Sequence, residues 1–378
     1  MASEDSGLRL SAEETAVDRY YTATQGQLIV RAFKKHRLAV ISLFLLLLFY
    51  VTASFAEFLS PYGPFDRYSK FVHAPPTKVH FVHDGSFSLR PFVYKQVQEL
   101  DMKTLRRHYS EDKSQPHYVK FFSRSIDYKM WTLFDGNLHL FSVEEPGHIF
   151  LLGADELGRD MLSRIIYASR ISLSIGFVGV VLSFVLGATL GAISGYFGGV
   201  ADTVIQRIIE LLRSIPTIPL WMGLAAAVPP DWTPIMRYFA ITVILSLVAW
   251  TGLARVVRGK FLELREEEFI MAARLAGTGT FKIILTHMFP GFISYLIVNA
   301  TLAVPRMILA ETSLSFLGLG LRTPVVSWGV LLQKAQNVRT MAVHPWLLLP
   351  VIFVIATVLL FNFIGDGLRD AADPYKST

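Results

Sequence analysis

The chain has 378 residues, 52% hydrophobic and only 17% charged, and its apolar residues come in runs. A soluble domain carries about 25% charged residues, so this composition indicates an integral membrane protein rather than a soluble enzyme. The absence of cysteine excludes disulfides, thiolate metal sites and cysteine nucleophiles, and the net charge of +6 follows loops rather than any nucleic-acid reader motif.

In chain order, the amino-terminal tail holds a capping-box spacing at Ser11 and Glu14. QLIVRAFKKHR then predicts an amphipathic elbow helix whose basic side chains anchor on anionic lipid. A bilayer core takes about 20 apolar residues as helix. Six stretches qualify: residues 38–56, 171–197, 203–228, 238–254, 288–309 and 346–365. The first follows a long polar tail and exceeds a signal-peptide core, so it reads as a retained span. The second is rich in Gly, Ala and Ser, which let helices approach closely in lipid. The third carries Arg207, Glu210 and Arg213 in its first half, so only SIPTIPLWMGLAAAV need sit in hydrocarbon. Pro216 and Pro219 are expected to kink it.

Lys and Arg in short loops set orientation. RAFKKHR before the first span falls on the same face as Arg255, Arg258, Lys260, Arg265, Arg274 and Lys282 between spans four and five. That face, with both chain termini, reads as cytoplasmic, and residues 60–170 then lie outside. This outer segment has two Asp-Gly pairs flanked by strand-like residues, VHFVHDGSFSL and KMWTLFDGNLHLF. Each reads as a hairpin turn, because a type I′ turn needs positive φ at both central residues. LDMKTLRRHYSEDK between them reads as a short helix, giving a partly β external insert. The expected organisation is a tail at 1–37, the first span at 38–60, the insert at 61–150, and a core at 151–373.

No chemistry is visible. GLARVVRGKF and GADELGRD both fail the phosphate-binding G-x-x-x-x-G-K-[ST] pattern. His80 and His83 are three apart on a strand, hence on opposite faces, and read as solvated surface histidines. No Ser occupies a G-x-S-x-G elbow. The chain reads as a non-enzyme with no metal or cofactor of its own.

Between spans four and five lies EEFIMAARLAGTGTFKIILTHMFPG. Ala272, Ala273 and Ala276 are expected on roughly one face of a short helix. Gly277 and Gly279 would end it, and Pro290 would stand near the start of the next helix. From the residues alone, a docking surface and an amphipathic helix lying on the membrane stay equally open.

This stretch resembles the EAA loop of ABC-importer permeases, a pattern of E-A-A, three residues, Gly, nine residues and I-x-L-P. Ala272, Ala273, Gly277 and Pro290 match it; Met271, His287 and Phe289 depart from its Glu, Ile and Leu. Glu268 offers an acidic residue one turn earlier. LGADELGRDMLSRIIYASRISLSIG and AETSLSFLGLGLRTPVVSWGVLLQ resemble further segments of the oligopeptide/dipeptide branch. The resemblance covers about residues 150–373 and the first span, and leaves out the insert.

It implies an all-α, six-span permease of a bacterial inner membrane that encloses a pathway with a second, homologous permease. Two cytoplasmic P-loop ATPases, which carry the ATP and Mg, would dock on the loop at 257–291, and an external binding protein would deliver the solute. Glu268, Ala272, Ala273, Gly277 and Pro290 are the implied coupling set.

Arg306 and Glu311, ionisable residues of the fifth span, are candidates to line the pathway. Arg159, Asp160 and Arg164 precede the second span and either contact the binding protein or pin their loop; pinning is favoured. The competing readings are a secondary transporter or channel working without ATPases, and a membrane anchor for the insert. The solute is open among peptides, oligosaccharides, opines and nickel.

Overall fold

A computed structural model describes residues 25–102 and 106–373, and the Ser11–Glu14 spacing lies outside them. Helix α1 (Gln25–Lys35) leads into α2 (Arg37–Ser54), the first span, and a single turn, α3 (Ala56–Leu59). His36 divides α1 from α2, its Nδ1 accepting from the Ala39 amide at 3.2 Å.

The insert follows as an antiparallel meander of β1 (His80–His83), β2 (Ser86–Asp101), β3 (Arg106–Met130) and β4 (Phe134–Val143). The first Asp-Gly is a hairpin turn as expected, with φ of 47° at Asp84 and 80° at Gly85. The second is not. Asp135 and Gly136 lie within β4, opposite Lys129 and Tyr128, and the turn is made by Trp131 and Thr132 at φ 53° and 62°. Gly136 is there because a Cβ would stand 2.8 Å from the Tyr128 ring.

The helix expected at residues 100–113 is absent: its described residues extend β2 and β3, whose pairing runs out to Asp101 and Arg106. Cross-strand pairing over that length outweighs the local helical propensity. His80 and His83 are not on opposite faces either. A register shift between His80 and Val82 turns both toward Tyr94, with ring centroids at 4.9 and 6.0 Å.

The bundle continues with α4 (Met161–Phe197), α5 (Gly199–Ser214), α6 (Thr217–Ala226) and α7 (Pro234–Leu264). Then come α8 (Glu268–Leu275), α9 (Thr280–Ile283), α10 (Ile293–Phe316), α11 (Trp328–Gln333), α12 (Val338–Val343) and α13 (Pro350–Ala372). Among the described residues, five helical stretches are long and apolar enough to cross a membrane, and the sixth candidate is the pair α5 and α6, bent by 90°. Pro216 stands at that break as the residue before α6. Pro219 kinks nothing, because it falls in the first turn of α6, where no intrahelical N–H is lost.

Helix α4 is the central element and runs parallel to α7. A Cβ on Gly187, Gly191 or Gly195 would stand 2.9, 2.6 or 2.7 Å from the carbonyl oxygens of Trp250, Ala254 and Arg258 in turn. Those glycines, one turn apart, let the two backbones touch. Gly176 and Gly179 give α10 the same close approach, against Ile308 and Met307. The parallel course of α4 and α7 puts the insert at one end of the bundle and α8 at the other. Helix α7 also runs ten residues past the expected end at 254, so Arg255, Arg258 and Lys260 sit on helix rather than loop.

Candidate coupling helix and transmembrane cavity

At the α8 end, one residue anchors the helix. Ile270 is fully buried against Phe261 of α7 and Ile283, Phe292 and Leu296 of the α9–α10 stretch. The Arg274 guanidinium lies 5.0 Å from the centroid of the Tyr196 ring at the end of α4. Ala273 is half-buried on this inner face, whereas Ala272 and Ala276 are exposed, so the three alanines do not share a face. Apolar side chains are exposed at this tip: Met271 and Leu275 on α8, the latter 90% exposed, and Phe281 and Leu285 in the stretch that follows.

Glu268 is exposed in the first turn of α8, where a carboxylate complements the helix dipole. Gly277 closes the helix at φ 74°, with its own amide on the Arg274 carbonyl and the Thr278 amide on that of Ala273. This is the paired bonding of a Schellman end. Nothing lies within 4 Å of a Cβ at Gly277, so its φ alone requires glycine.

Pro290 stands in the first positions of the 3-10 turn Phe289–Phe292, which runs directly into α10 at Ile293, near a helix start as expected. The chain winds from Thr280 to Phe316, passing through a π turn at Ile284–Met288 and a 3-10 turn at Phe289–Phe292. Proline lacks an N–H and its ring crowds the preceding turn, which the widened π turn relieves. Phe289 packs at 5.2 Å from Phe261, holding this irregular stretch against α7.

Midway through the bundle, α4, the α5–α6 break, α7 and α10 line a half-open cavity of about 650 Å³. Arg306 lines it and Glu311 does not. Five residues turn a helix by about 140° beyond a full turn, so the two diverge. Glu311 is fully buried on the other side of α10, its Oε1 accepting from Ser315 Oγ at 2.7 Å and Ser327 Oγ at 2.8 Å. Ser327 also caps α11, and Trp328 beside it donates its amide to Ser172 Oγ and its indole N–H to the Ile165 carbonyl, both on α4. Glu311 therefore fastens the segment between α10 and α11 back onto the bundle.

At the insert end, Arg159 and Asp160 are 4% and 1% exposed. Asp155 receives Arg159 Nε at 2.8 Å and is also paired with Arg164, and Asp160 caps α4 through the Ser163 amide at 2.7 Å. Burial opposes charge on Asp155, yet Arg164 and Arg159 hold its carboxyl below the ordinary value. Burial pushes the Asp160 carboxyl up to about 6, against the hydrogen bonds from Ser163. This geometry pins the loop and leaves little of either residue to meet a partner. Sequence reasoning missed Asp155, whose signal was its place four residues before Arg159, and missed Arg213, which also lines the cavity.

Comparison with known proteins gives two family matches. Residues 24–76 match the N-terminal transmembrane domain of oligopeptide transport permease C, and residues 187–377 match the binding-protein-dependent transport system inner membrane component. The oligopeptide transport system permease protein OppC of Haemophilus influenzae is 43% identical over 61% of this chain and 71% of its own length. The dipeptide transport system permease protein DppC of Bacillus subtilis is 39% identical over 59% of this chain and 68% of its own. Among solved structures, a chain of the MetNI methionine ABC transporter in inward-facing conformations aligns at 20% identity with a TM-score of 0.43, covering 56% of this chain and 97% of that chain. This chain belongs to the binding-protein-dependent transport system inner membrane component family and is a membrane-spanning permease subunit of an ABC importer.

Proposed function

We propose that the chain is half of the pathway of an ATP-driven peptide importer in a bacterial inner membrane. A second permease would complete the pathway, and two P-loop ATPases, holding ATP and Mg, would act on α8. A binding protein would deliver the solute at the insert end, with both chain termini on the cytoplasmic side. Peptides are the solute class because the relatives' names carry oligopeptide and dipeptide transport.

The observation that carries the ATPase assignment is α8 itself. Its inner face is locked into the bundle by Ile270, while Leu275 at its end and Phe281 on the following α9 are exposed at the bundle tip. A partner pushing on that tip would move α7 and α10 together, and with them the walls of the cavity. Exposed apolar surface of this kind marks an interaction site.

The test uses the cysteine-free background. Ala272→Cys, on the exposed face, is treated with a short thiol cross-linker in native membranes and the adduct identified by mass spectrometry. A trapped P-loop ATPase supports the reading. A cysteine that reacts freely with a thiol reagent but traps no ATPase would falsify it.

A further inference from the structure

We propose that the cavity between α4, α6, α7 and α10 is a carboxylate site, and that Arg213 and Arg306 receive the carboxyl terminus of the travelling solute. The proposal rests on the permease reading above and narrows its solute to anions or zwitterions with a free carboxylate.

The two arginines come from different spans. Arg306 lies midway along α10, and Arg213 lies in the last turn of α5, just before the 90° break. Both line the cavity, neither forms an ion pair among the described residues, and no Asp or Glu shares the lining. Guanidinium groups do not deprotonate in proteins. Both side chains are exposed to the cavity, so their charges meet whatever fills it, water or an anion. The more deeply set Arg164 and Arg170 are instead paired with Asp155 and Glu57.

Three further features of the lining point the same way. The Trp221 indole nitrogen is buried without a hydrogen-bond partner, a donor with nothing to receive it. Helix α6 begins at Thr217 on the cavity wall with no side-chain cap, so its positive end adds to the arginines' field. Asn299 offers an amide on the opposite side, its Nδ2 already on the Tyr295 carbonyl at 3.0 Å. Donors therefore outnumber acceptors in a cavity of about 650 Å³, which has room for a short peptide and no Asp, Glu or His in its lining to favour a metal cation. Bidentate pairing of guanidinium with carboxylate supplies the orientation.

The test is binding of trialanine and of trialanine amide to the full chain in nanodiscs, with the subunits that co-purify. Wild type is expected to bind the acid at least ~10-fold more tightly than the amide, the scale of one charge-assisted pair. Arg213→Gln and Arg306→Gln are expected to erase that preference. Arg213→Lys and Arg306→Lys keep the charge and are expected to retain part of it. Equal binding of acid and amide by wild type, no binding of either, or an unchanged preference in the glutamine variants would each overturn the site. Uptake of trialanine by a strain lacking the chain, with and without the wild-type copy, tests the permease reading separately. If uptake depends on the chain but the acid preference is absent, only the carboxylate site fails.

Discussion

The guanidinium of Arg170 lies 4.4 Å from the centroid of the Trp131 ring, joining the tip of the β3–β4 hairpin to the second span. The same arginine donates to the Ala53 and Ser54 carbonyls at 2.6 and 2.8 Å and pairs with Glu57, so it also closes the end of α2. The Trp131 indole donates to the Ser54 carbonyl at 3.1 Å. Trp131→Ala removes the cation–π contact and one hydrogen bond, together about 2 kcal/mol. Amide exchange at the β3–β4 tip is expected to accelerate while exchange in α4 and α7 stays as in wild type. Unchanged exchange at the tip would mean that the strands alone hold the hairpin.

The close contact of α4 with α7 makes a second prediction. Gly191→Val forces a side chain into a space where even a Cβ meets the Ala254 carbonyl oxygen at 2.6 Å. Overpacking of this kind costs about 1–3 kcal/mol, and backbone cannot swing aside as a side chain can. Thermal denaturation in detergent should show a clear drop in midpoint. Gly259→Ala, in α7 with nothing within 4 Å of a Cβ, is the control and is expected to hold or raise the midpoint. Equal effects of the two substitutions would show that helix propensity, not contact, governs.

These contacts explain which parts of the fold could be read from sequence. Hydropathy marks the spans because lipid demands it, and the Asp84–Gly85 turn is visible because both residues need positive φ. Gly136 looks identical in sequence, but it serves the Tyr128 ring 8 residues away, a tertiary reason that no local pattern carries. The 100–113 stretch misleads in the same way, since strand pairing decides it. Arg213 reads as an impurity in a weak span until the break at Pro216 places it on the cavity wall. The Glu57–Arg170 pair spans 113 residues and leaves no local trace.

A third prediction concerns acid. The rings of His73 and His344 stack at 4.1 Å, linking the insert side to the loop before α13, and Trp346 packs on His344 while donating to the Ala154 carbonyl. Burial lowers the pKa of His73 against the pull of Asp155 and Glu156, with Arg107 adding to the lowering. Burial and the facing His73 bring His344 to about 4. For depressed histidines the unfolded state binds the proton first, so stability is complete above the ordinary value near 6.5 and falls as pH drops toward 4. Protease nicking of this junction is expected to rise across that window in wild type and to flatten in His344→Phe. A profile unchanged by that substitution would place the sensitivity elsewhere.

The last prediction follows from Glu311, whose single oxygen gathers Ser315 and Ser327 while Ser315 Oγ accepts the Leu321 amide at 3.0 Å. Glu311→Ala strips the acceptor from two buried hydroxyls, a loss of about 1–3 kcal/mol for each donor left unpaired. Glu311→Gln keeps a carbonyl oxygen that both serines can reach, at the cost of an amide group where Oε2 has no partner. The chain's lack of cysteine gives a direct reading: Val326, 6% exposed beside Ser327, is replaced by Cys and labelled with a thiol reagent. Labelling is expected to be slow alone and with Glu311→Gln, and at least ~10-fold faster with Glu311→Ala, as the segment lifts from α10. Equal rates in all three would show that Trp328, seated between Ser172 and Ile165, holds the segment by itself.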